Sequence, residues 1–182
     1  MGFHTFDPAQ TDRLEDPSRF RFCSREELLQ YLPRGKTLLD VGSGTGFYTT
    51  ELAPFFEQVY ALDLQPEMHR QYRERGVPEN VSLLTADGGS IPLKSDSVDA
   101  TVSTMTYHEA ASEKSLTALY RVMSPDGIVV VVDWSRAGNG DSGPPRDERY
   151  DAATAAQAFT DAGFTVEHAT ERSETFQLVA HV

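Results

Sequence analysis

Short runs of apolar, often β-branched residues alternate along this chain with longer stretches in which apolar residues recur at helical spacing. The runs are mostly continuous, which is typical of parallel strands that are buried on both faces. They predict strands at residues 37–41, 58–64, 81–85, 97–103 and 128–133. Strands that alternate with helices in this way predict an α/β fold with a parallel sheet.

The segments between these runs carry the end signals of helices. Ser24 and Glu27 form the pattern of a capping box, which predicts the start of a helix that ends before residues 33–35. Pro66 predicts the start of another helix that ends at Gly76, because proline suits a first turn and glycine suits a C-terminus. Further helices are predicted at residues 47–56, 113–123 and 152–162.

The end of the chain shows two predicted strands with no helix between them. Residues 164–169 and 174–182 both have the character of strands, and only the four residues 170–173 separate them. Such a gap is long enough for a hairpin but too short for the crossover that joins two parallel strands. The last strand is therefore expected to run antiparallel to its neighbour.

A length of 182 residues suits one domain with a sizeable hydrophobic core. We predict a single domain over residues 1–182, with an N-terminal lid or helix arm at 1–36 and a core at 37–182. Two hypotheses stand for the arm: it shields the edge of the sheet, or it forms a lid over a ligand site. The candidate lid contacts are aromatic, namely Phe6, Phe20 and Phe22.

The charge balance is strongly acidic, with a formal net charge of −12 and a sequence pI of about 4.7. The acidic side chains are spread over the whole chain and leave no basic stripe, so binding to nucleic acid is disfavoured. The same composition suits a protein that stays soluble at high salt, where self-repulsion is screened. We therefore hypothesise a salt-adapted source.

The cysteine and histidine content limits the chemistry further. The single cysteine, Cys23, cannot form an internal disulfide and suits a reducing cytoplasm. The longest strongly apolar run, residues 128–132, is too short to span a membrane, and no signal peptide is recognised. The spacing of the histidines predicts no metal site. They stand at His4, His69, His108, His168 and His181.

Three glycines at alternate positions, Gly42, Gly44 and Gly46, directly follow the strand predicted at residues 37–41. Because they lack Cβ atoms, their backbone amides can come close to a ligand at the carboxyl end of a central strand. A dinucleotide fingerprint would have its third glycine at position 47, where this chain has Phe47. A phosphate loop would need a Gly-Lys-Ser/Thr sequence, which is absent.

The pattern Asp-x-Gly-x-Gly-x-Gly that begins at Asp40 resembles that of class I S-adenosylmethionine-dependent methyltransferases of small-molecule type, similar to the ubiquinone/menaquinone-biosynthesis group. The resemblance covers roughly residues 24–182. It implies a Rossmann-like three-layer αβα sandwich around a seven-stranded, mostly parallel sheet with an antiparallel last strand. S-adenosylmethionine carries a sulfonium and an ammonium but no phosphate, so its pocket is expected to offer carboxylates. Asp40 is expected to orient the methionine moiety.

Further cofactor contacts are implied at the ends of the next strands. Asp63, about 20 residues beyond the glycines, is placed to bind both ribose hydroxyls, with Leu64 beside it. The alternative role for Asp63 is a helix cap. In the family an acidic residue after the third strand binds the adenine amine, and Asp87 with Gly88 matches it, the alternative being a turn aspartate. The backbone of Thr104 is expected to meet the methionine end.

The resemblance places methyl donor and acceptor side by side at the loop after the fourth strand, residues 104–109. This segment lacks the Asn/Asp-Pro-Pro-aromatic motif of enzymes that methylate nucleic-acid bases, and the chain lacks the acidic set of metal-dependent catechol-type enzymes. His108 is our first choice of base for an acceptor that must lose a proton. Packing beneath the pocket is the competing hypothesis, and Tyr107 and Glu109 are weaker candidates.

Two later segments also match the family. Residues 121–127 resemble its turn before the fifth strand, with Asp126 in place of a glycine. Residues 134–149 form a long loop rich in glycine and proline at the ligand end of the sheet, and loops of this length are usually functional or disordered. Arg146 and Arg149 of this loop could meet an anionic substrate, or they could form salt bridges.

We therefore predict methyl transfer from S-adenosyl-L-methionine, with S-adenosyl-L-homocysteine as product, to a small-molecule acceptor. Catalysis would consist mostly of in-line positioning and exclusion of water. The alternative is a non-catalytic partner or regulatory module that binds the cofactor. A nicotinamide enzyme is disfavoured by the missing third glycine of its fingerprint. No nucleic-acid partner, metal or membrane span is predicted, and no particular oligomeric state.

Overall fold

The computed structural model of the chain describes the backbone of residues 6–182 and, apart from residues 8–10, their side chains. The strands are β1 (Thr37–Val41), β2 (Gln58–Asp63), β3 (Val81–Thr85), β4 (Val98–Thr104), β5 (Met123–Trp134), β6 (Thr165–Glu171) and β7 (Thr175–His181). The α-helices are α1 (Arg25–Leu29), α2 (Phe47–Leu52), α3 (Pro66–Arg75), α4 (Tyr107–Ala110), α5 (Glu113–Val122) and α6 (Ala152–Asp161). Short 3-10 segments lie at Pro8–Leu14, Pro17–Arg21, Ala53–Phe55, Gly88–Ser90 and Arg146–Glu148. No helix within the described residues has the length and apolar character needed to cross a membrane.

The strands form one seven-stranded sheet in the order β3-β2-β1-β4-β5-β7-β6. The pairs from β3 to β5 are all parallel, whereas β7 runs antiparallel to both of its neighbours. The predicted hairpin therefore forms one edge of the sheet, and the short link after β6 makes β7 antiparallel to β6. The predicted α/β class and Rossmann-like sheet are confirmed.

The sheet lies between two helical layers, each with its own core. Along β5, Val129 and Val131 belong to the core formed with α4, α5 and α6, and Val130 and Val132 belong to the core formed with α1, α2 and α3. Successive side chains of a strand point to opposite faces. Because both faces are covered, the apolar run of β5 is continuous, as the sequence indicates.

Several helices and strands begin or end at residues other than those predicted. β4 ends at Thr104, one residue later than predicted, so this residue closes the strand. The short helix α4 follows, where the sequence analysis expects only a loop. The helix predicted at residues 47–56 stops at Leu52 and continues as a 3-10 segment, because Pro54 has no N–H for the next helical hydrogen bond.

The turn predicted before the fifth strand lies inside β5, which begins at Met123. Asp126 adopts a positive φ of 63°, which aspartate tolerates better than most residues. The pairing of β4 with β5 shifts register between Val98 and Ala100. The turn is thus accommodated as an irregularity in the strand.

The sheet order places the glycine turn at a crevice. From β1 the chain passes through α2 to β2 and then β3 on one side, and it returns to β4 on the other side of β1. The helix after β1 and the helices after β4 pack on opposite faces of the sheet. The carboxyl ends of β1 and β4 therefore flank an open crevice, which is where sheets of this type bind ligands.

Candidate active site

The turn between β1 and α2 requires glycine at two positions for a measurable reason. Gly42 has a φ of +76° and Gly46 a φ of +89°, values that L-residues rarely adopt. A Cβ on Gly42 would lie 2.1 Å from Cγ2 of Thr106, and a Cβ on Gly46 would lie 2.2 Å from Cζ of Tyr72. The turn therefore packs directly against the segment after β4 and against α3.

Asp63, at the end of β2, supports the same turn. Its Oδ2 accepts a hydrogen bond from the N–H of Gly44 at 2.8 Å, and its Oδ1 accepts one from the N–H of Gln65 at 2.8 Å. The second bond is the local turn that an aspartate often forms before a helix. The carboxylate is half-buried and lines a cavity, so one side chain supports the turn and also faces the crevice.

A cavity of about 240 Å³ opens between the glycine turn, the ends of β2 and β4, and the N-terminal arm. Seven of the predicted cofactor-binding residues line it, namely Gly42, Gly44, Asp63, Leu64, Asp87, Gly88 and Thr104. Asp40 and Gly46 lie outside the lining, behind the turn. His108 is also outside the lining, whereas its neighbour Glu109 is part of it.

The end of the cavity near β3 combines an apolar surface with a carboxylate. The side chain of Leu64 is 53% exposed, although it is large and apolar. Asp87 is exposed as well, and it accepts a hydrogen bond from the N–H of Gly89 at 2.7 Å. An uncovered leucine beside a carboxylate suits an apolar ring that carries an amino group, since ligand sites pair apolar walls with a few placed polar groups.

Asp40 lies on β1 beneath the turn and is 1% exposed. Its Oδ2 accepts a hydrogen bond from the Thr49 hydroxyl at 2.5 Å. Its Oδ1 is the one buried side-chain nitrogen or oxygen in the described part of the chain without a hydrogen-bond partner. Burial raises the pKa of Asp40 to about 6, with the Thr49 hydrogen bond opposing the shift and the charge of Asp63 adding to it. An unpartnered buried oxygen suits a site that receives a cation.

Arg19 contributes the one cationic side chain among the described residues of the cavity wall. Its guanidinium lies 5.0 Å from the ring centroid of Phe47 and 5.1 Å from that of Tyr48, and it donates to the carbonyl of Leu14 at 2.6 Å. No motif in the sequence points to Arg19. The alternation of arginine and phenylalanine at residues 19–22 is its only signal.

The N-terminal arm forms one wall of the cavity. The Glu15 carboxylate accepts a hydrogen bond from the Thr45 hydroxyl and lies 3.5 Å from the Arg75 guanidinium. Nε2 of Gln65 donates to the carbonyl of Phe6 at 3.0 Å, and Phe6 lines the cavity. These contacts attach the arm to the glycine turn, to α3 and to the segment after β2, as a lid would require.

The other two aromatic residues proposed as lid contacts lie elsewhere. Phe20 packs on Phe47 with ring centroids 4.8 Å apart, and Phe22 packs on Trp134 with centroids 4.7 Å apart. Neither Phe20 nor Phe22 lines the cavity. They hold the arm against α2 and the end of β5.

His108 and Asp133 form a buried pair behind the cavity wall. The Asp133 carboxylate, fully buried at the end of β5, lies 3.0 Å from Nδ1 of His108 and accepts its backbone N–H at 2.5 Å. Burial opposes the charged imidazolium, but the charge and hydrogen bond of Asp133 and the charges of Glu109 and Glu148 outweigh it and raise the pKa of His108. The imidazolium therefore persists to higher pH than in water.

Glu109 follows His108 in α4 and faces the cavity. Its Oε1 lies 3.7 Å from Nε2 of His108. Burial raises the pKa of Glu109 to about 6. The charge of His108 opposes this shift, and the charges of Asp133 and Asp63 add to it. The backbone N–H of Phe6 also bonds the carboxylate and lowers the pKa. Of the residues predicted around the acceptor loop, Glu109 is the titratable group that reaches the cavity.

The long loop after β5 is held by Arg149, whose side chain is 1% exposed. The guanidinium donates to the carbonyls of Ser135, Ser142 and Pro144. Arg146 donates to another backbone carbonyl of the loop. Neither arginine lines the cavity, so Arg149 fastens the loop and does not offer an anion site.

The remaining candidates have structural surroundings. Burial raises the pKa of Cys23 to about 12, so its thiol is not a nucleophile at neutral pH. His69 is fully buried, with Nδ1 2.8 Å from Oγ1 of Thr85. Within the described residues, no cluster of His, Cys, Asp and Glu is arranged to hold a metal, and His4 lies outside those residues.

A family model described as a methyltransferase domain matches residues 39–131, just over half of the chain. The chain belongs to this methyltransferase domain family. An S-adenosylmethionine-dependent methyltransferase from Aquifex aeolicus, known from a crystal structure, is 32% identical in sequence to this chain. The two structures superpose with a TM-score of 0.89 over 98% of this chain and 100% of that one. The resemblance to class I methyltransferases is thereby confirmed.

Two further relatives match a little over half of this chain. An uncharacterised methyltransferase-like protein of Schizosaccharomyces pombe is 32% identical over 96 residues, which are 52% of this chain and 37% of the relative. A ubiquinone/menaquinone biosynthesis C-methyltransferase of Citrobacter koseri is 30% identical over 111 residues, 57% of this chain and 44% of the relative. The chain thus spans less than half the length of these two relatives.

The cavity of this chain fits S-adenosylmethionine by the chemistry of its wall. Asp63 and Asp87 offer carboxylates to a nucleoside, and the exposed Leu64 offers an apolar surface to its ring. The unpartnered Oδ1 of Asp40 suits an ammonium nearby, and the guanidinium of Arg19 suits a carboxylate. Groups of both signs, as a zwitterionic amino-acid end would need, are therefore present in the cavity wall or close behind it.

Proposed function

We propose that this methyltransferase transfers the methyl group of S-adenosylmethionine to a small-molecule acceptor. The observation that carries the proposal is the charge pattern of one cavity: Asp63, Asp87 and Glu109 open onto it beside the glycine turn, together with Arg19. A nucleoside that bears a sulfonium and an amino-acid end presents complementary charges. The pyrophosphate of a dinucleotide would instead meet carboxylates.

Each part of the nucleoside has a residue that suits it. Asp63 would accept hydrogen bonds from the ribose hydroxyls. Leu64 would cover the adenine ring, and Asp87 with Gly88 would meet its amino edge. The exposure of Leu64 and Asp87 supports these roles, because both side chains are free to be covered by a ligand.

The methionine end is assigned to the glycine turn and the end of β4. Arg19 would pair with the carboxylate, and the buried charge of Asp40 would favour the ammonium. The backbone of Thr104 would contact this end of the cofactor. The influence of Asp63 and Arg19 on the pKa of Asp40 supports the idea that the charge of Asp40 is felt in the cavity.

When bound, S-adenosylmethionine supplies a methyl group that its sulfonium makes electrophilic. The chain would contribute in-line positioning of the acceptor and exclusion of water. The arm, attached through Glu15 and Phe6, would cover the cavity for this purpose. His108 is the base predicted from the sequence for an acceptor that must lose a proton, and it lies next to Glu109, which lines the cavity.

The acceptor is proposed to be a small molecule, since a net charge of −12 opposes binding to a phosphate backbone. The relative from Citrobacter koseri, named for quinone biosynthesis, also supports a small-molecule acceptor. A cytoplasmic location stays a prediction from the single free thiol of Cys23.

Calorimetric titration tests the proposal against its rivals. The wild-type protein should bind S-adenosylhomocysteine and show no heat of binding with NAD. Tighter binding of NAD would overturn the assignment. Incubation with methyl-labelled S-adenosylmethionine and a small-molecule extract of the source cells should then yield a labelled product, whereas a non-catalytic module would bind and label nothing.

The Asp63→Asn variant should bind S-adenosylhomocysteine about 1.5 kcal/mol, roughly tenfold, more weakly, because charge-assisted hydrogen bonds to the ribose become neutral ones. Asparagine keeps the shape of the side chain and one acceptor oxygen. Isothermal titration calorimetry measures the change, and a thermal melt checks that the turn still folds.

Asp161→Asn is the matched control, since Asp161 is an exposed aspartate at the end of α6 and does not line the cavity. It removes the same charge from the protein and should leave binding unchanged. Equal affinity of the two variants would remove Asp63 from the ribose site.

Salt adaptation is a separate part of the proposal. The melting temperature should rise as potassium chloride increases towards molar concentration, because salt screens the repulsion among side chains with a net charge of −12. Differential scanning fluorimetry over a salt series measures this. A melting temperature that is constant or falls would contradict a salt-adapted source.

A further inference from the structure

One charged side chain of the cavity wall has no role in holding the nucleoside. The charged residues among the described lining are Arg19, Asp63, Asp87 and Glu109. The first three are assigned to the amino-acid end, the ribose and the adenine. Glu109 lies on α4, five residues after the end of β4, and no part of the nucleoside has been assigned to its carboxylate.

The position of Glu109 is fixed relative to the glycine turn. α4 begins after Thr106, whose hydroxyl lies 3.2 Å from the carbonyl of Gly42 and 3.2 Å from that of Thr104. The N–H of Glu109 donates to the carbonyl of Thr106 at 2.9 Å. The contact between Gly42 and Thr106 also leaves no room for a Cβ. The start of α4, and with it the backbone of Glu109, is therefore held against the glycine turn.

A buried charge pair supports the carboxylate from behind. Asp133 is fully buried and holds both Nδ1 and the backbone N–H of His108, and Nε2 of His108 lies 3.7 Å from Oε1 of Glu109. The order Asp133, His108, Glu109 runs from the end of β5 to the cavity. Only the last of these three is part of the cavity lining.

We propose that Glu109 is the catalytic carboxylate at the point of methyl transfer, that it receives the acceptor's proton, and that His108 and Asp133 are its positioning residues. This inference rests on the proposed function. It restricts the acceptor to molecules whose methylated atom carries both a lone pair and a proton, such as a hydroxyl, a thiol or a neutral amine.

The transfer step balances with these groups. The acceptor atom uses a lone pair to form its bond to the methyl carbon, and the S–CH3 bond breaks with its electron pair going to sulfur. The sulfonium becomes a neutral thioether. The proton of the acceptor passes to Glu109, whose charge changes from −1 to 0, so no further reactant is needed.

Sinefungin tests this placement without a known acceptor. It is an analogue in which a carbon bearing a primary amine replaces the methylated sulfur, so its ammonium takes the place of the methyl group, next to the proposed position of the acceptor's proton donor. The wild-type protein should prefer sinefungin to S-adenosylhomocysteine. In Glu109→Gln the preference should fall roughly tenfold, the effect of losing one charge-assisted hydrogen bond, while binding of S-adenosylhomocysteine stays unchanged.

Glu113→Gln is the matched control, because Glu113 is an exposed glutamate on the next helix and lies outside this cavity. It should leave the preference intact. A preference that is equal in wild type and Glu109→Gln overturns the proposal. Failure of wild-type protein to bind S-adenosylhomocysteine at all would instead overturn the proposed function, so the two failures are distinct.

The pH dependence provides a second measurement that needs no variant. Glu109 is faced by His108 from its own helix, by Asp133 from β5, by Asp63 from β2 and by the N–H of Phe6 from the arm. The preference of the wild-type protein for sinefungin should increase as pH rises through about 6, where Glu109 loses its proton. A flat profile contradicts the assignment.

His108→Asn separates positioning from simple packing. Asparagine can still bond Asp133 but has no group at the position of Nε2. Because the charge of His108 lowers the pKa of Glu109, its loss should move the midpoint of the sinefungin preference to higher pH. Unchanged binding of S-adenosylhomocysteine with an unmoved midpoint would show that His108 only packs.

Discussion

Gly46→Ala is expected to destabilise the fold by about 3 kcal/mol or more, because two costs coincide at this position. The residue has a φ of +89°, which an L-residue adopts only with strain. Its Cβ would also lie 2.2–2.4 Å from three ring atoms of Tyr72, a fully packed side chain of α3. Relief would need a shift of α2 against α3, and such a shift would distort the cofactor site.

Urea unfolding followed by circular dichroism measures this loss, and Gly35→Ala is the matched control. Gly35 also has a positive φ, +68°, but the nearest atom to its Cβ would be 3.9 Å away. It should therefore cost only the backbone strain, about 1 kcal/mol. Equal destabilisation in the two variants would contradict close packing of Gly46 on Tyr72.

The same comparison applies within the turn. Gly44 has a φ of +54°, and the nearest atom to a Cβ there would be Cδ1 of Leu14 at 3.5 Å. Gly44 is therefore the one glycine of the three where alanine meets no close contact. The three glycines look equivalent in the sequence, yet two are required by neighbours that are distant along the chain.

The residues proposed to bind the nucleoside could be placed together from the sequence for a topological reason. Parallel strands bring their carboxyl ends to one edge of the sheet, so residues at strand ends must lie near one another. Asp63 at the end of β2, Asp87 after β3 and Thr104 at the end of β4 line one cavity accordingly. Recognising the strands was sufficient to bring these residues to one edge, and the resemblance to the methyltransferase family implied their roles.

Arg19 could not be predicted in this way. It comes from an arm whose path depends on contacts such as that between Glu15 and Thr45, and on the stacking of its guanidinium over Phe47. No periodicity in the first residues of the chain specifies these contacts. The arm also brings Phe6 to the cavity while it places Phe22 on Trp134.

Which of His108 and Glu109 faces the cavity depends on a structural detail that the sequence does not specify. Neighbouring residues of a helix point about 100° apart, so a helix at this point gives the two side chains different surroundings. The sequence analysis expects a loop at this point, and in a loop either side chain can face the ligand. The short helix α4 turns Glu109 to the cavity and His108 to the buried Asp133.

Asp40→Asn is expected to stabilise the protein without ligand by about 2 kcal/mol at pH 8, while weakening cofactor binding about tenfold. Burial raises the pKa of Asp40 to about 6, against a value of 3.8 for a free aspartate. As pH rises from about 4 to 6, the unfolded chain ionises this group before the folded protein does, so the wild type loses stability over that interval. Asparagine carries no charge and avoids the loss, but an ammonium in the cavity loses an attracting charge.

Thr49→Val is the matched variant, and its expected effect on stability is opposite to that of Asp40→Asn. It keeps the shape of a fully buried side chain but removes the hydroxyl that donates to Oδ2 of Asp40 at 2.5 Å. It should therefore reduce stability at pH 8, since the buried carboxylate then lacks its one hydrogen-bond donor. Urea unfolding at pH 4 and pH 8 measures both variants. One result would contradict both roles of Asp40: a variant Asp40→Asn that is as stable as wild type at both pH values and binds S-adenosylhomocysteine normally. Asp40 would then carry neither the buried charge nor the ammonium contact. Stability and cofactor binding would not be in conflict at this position.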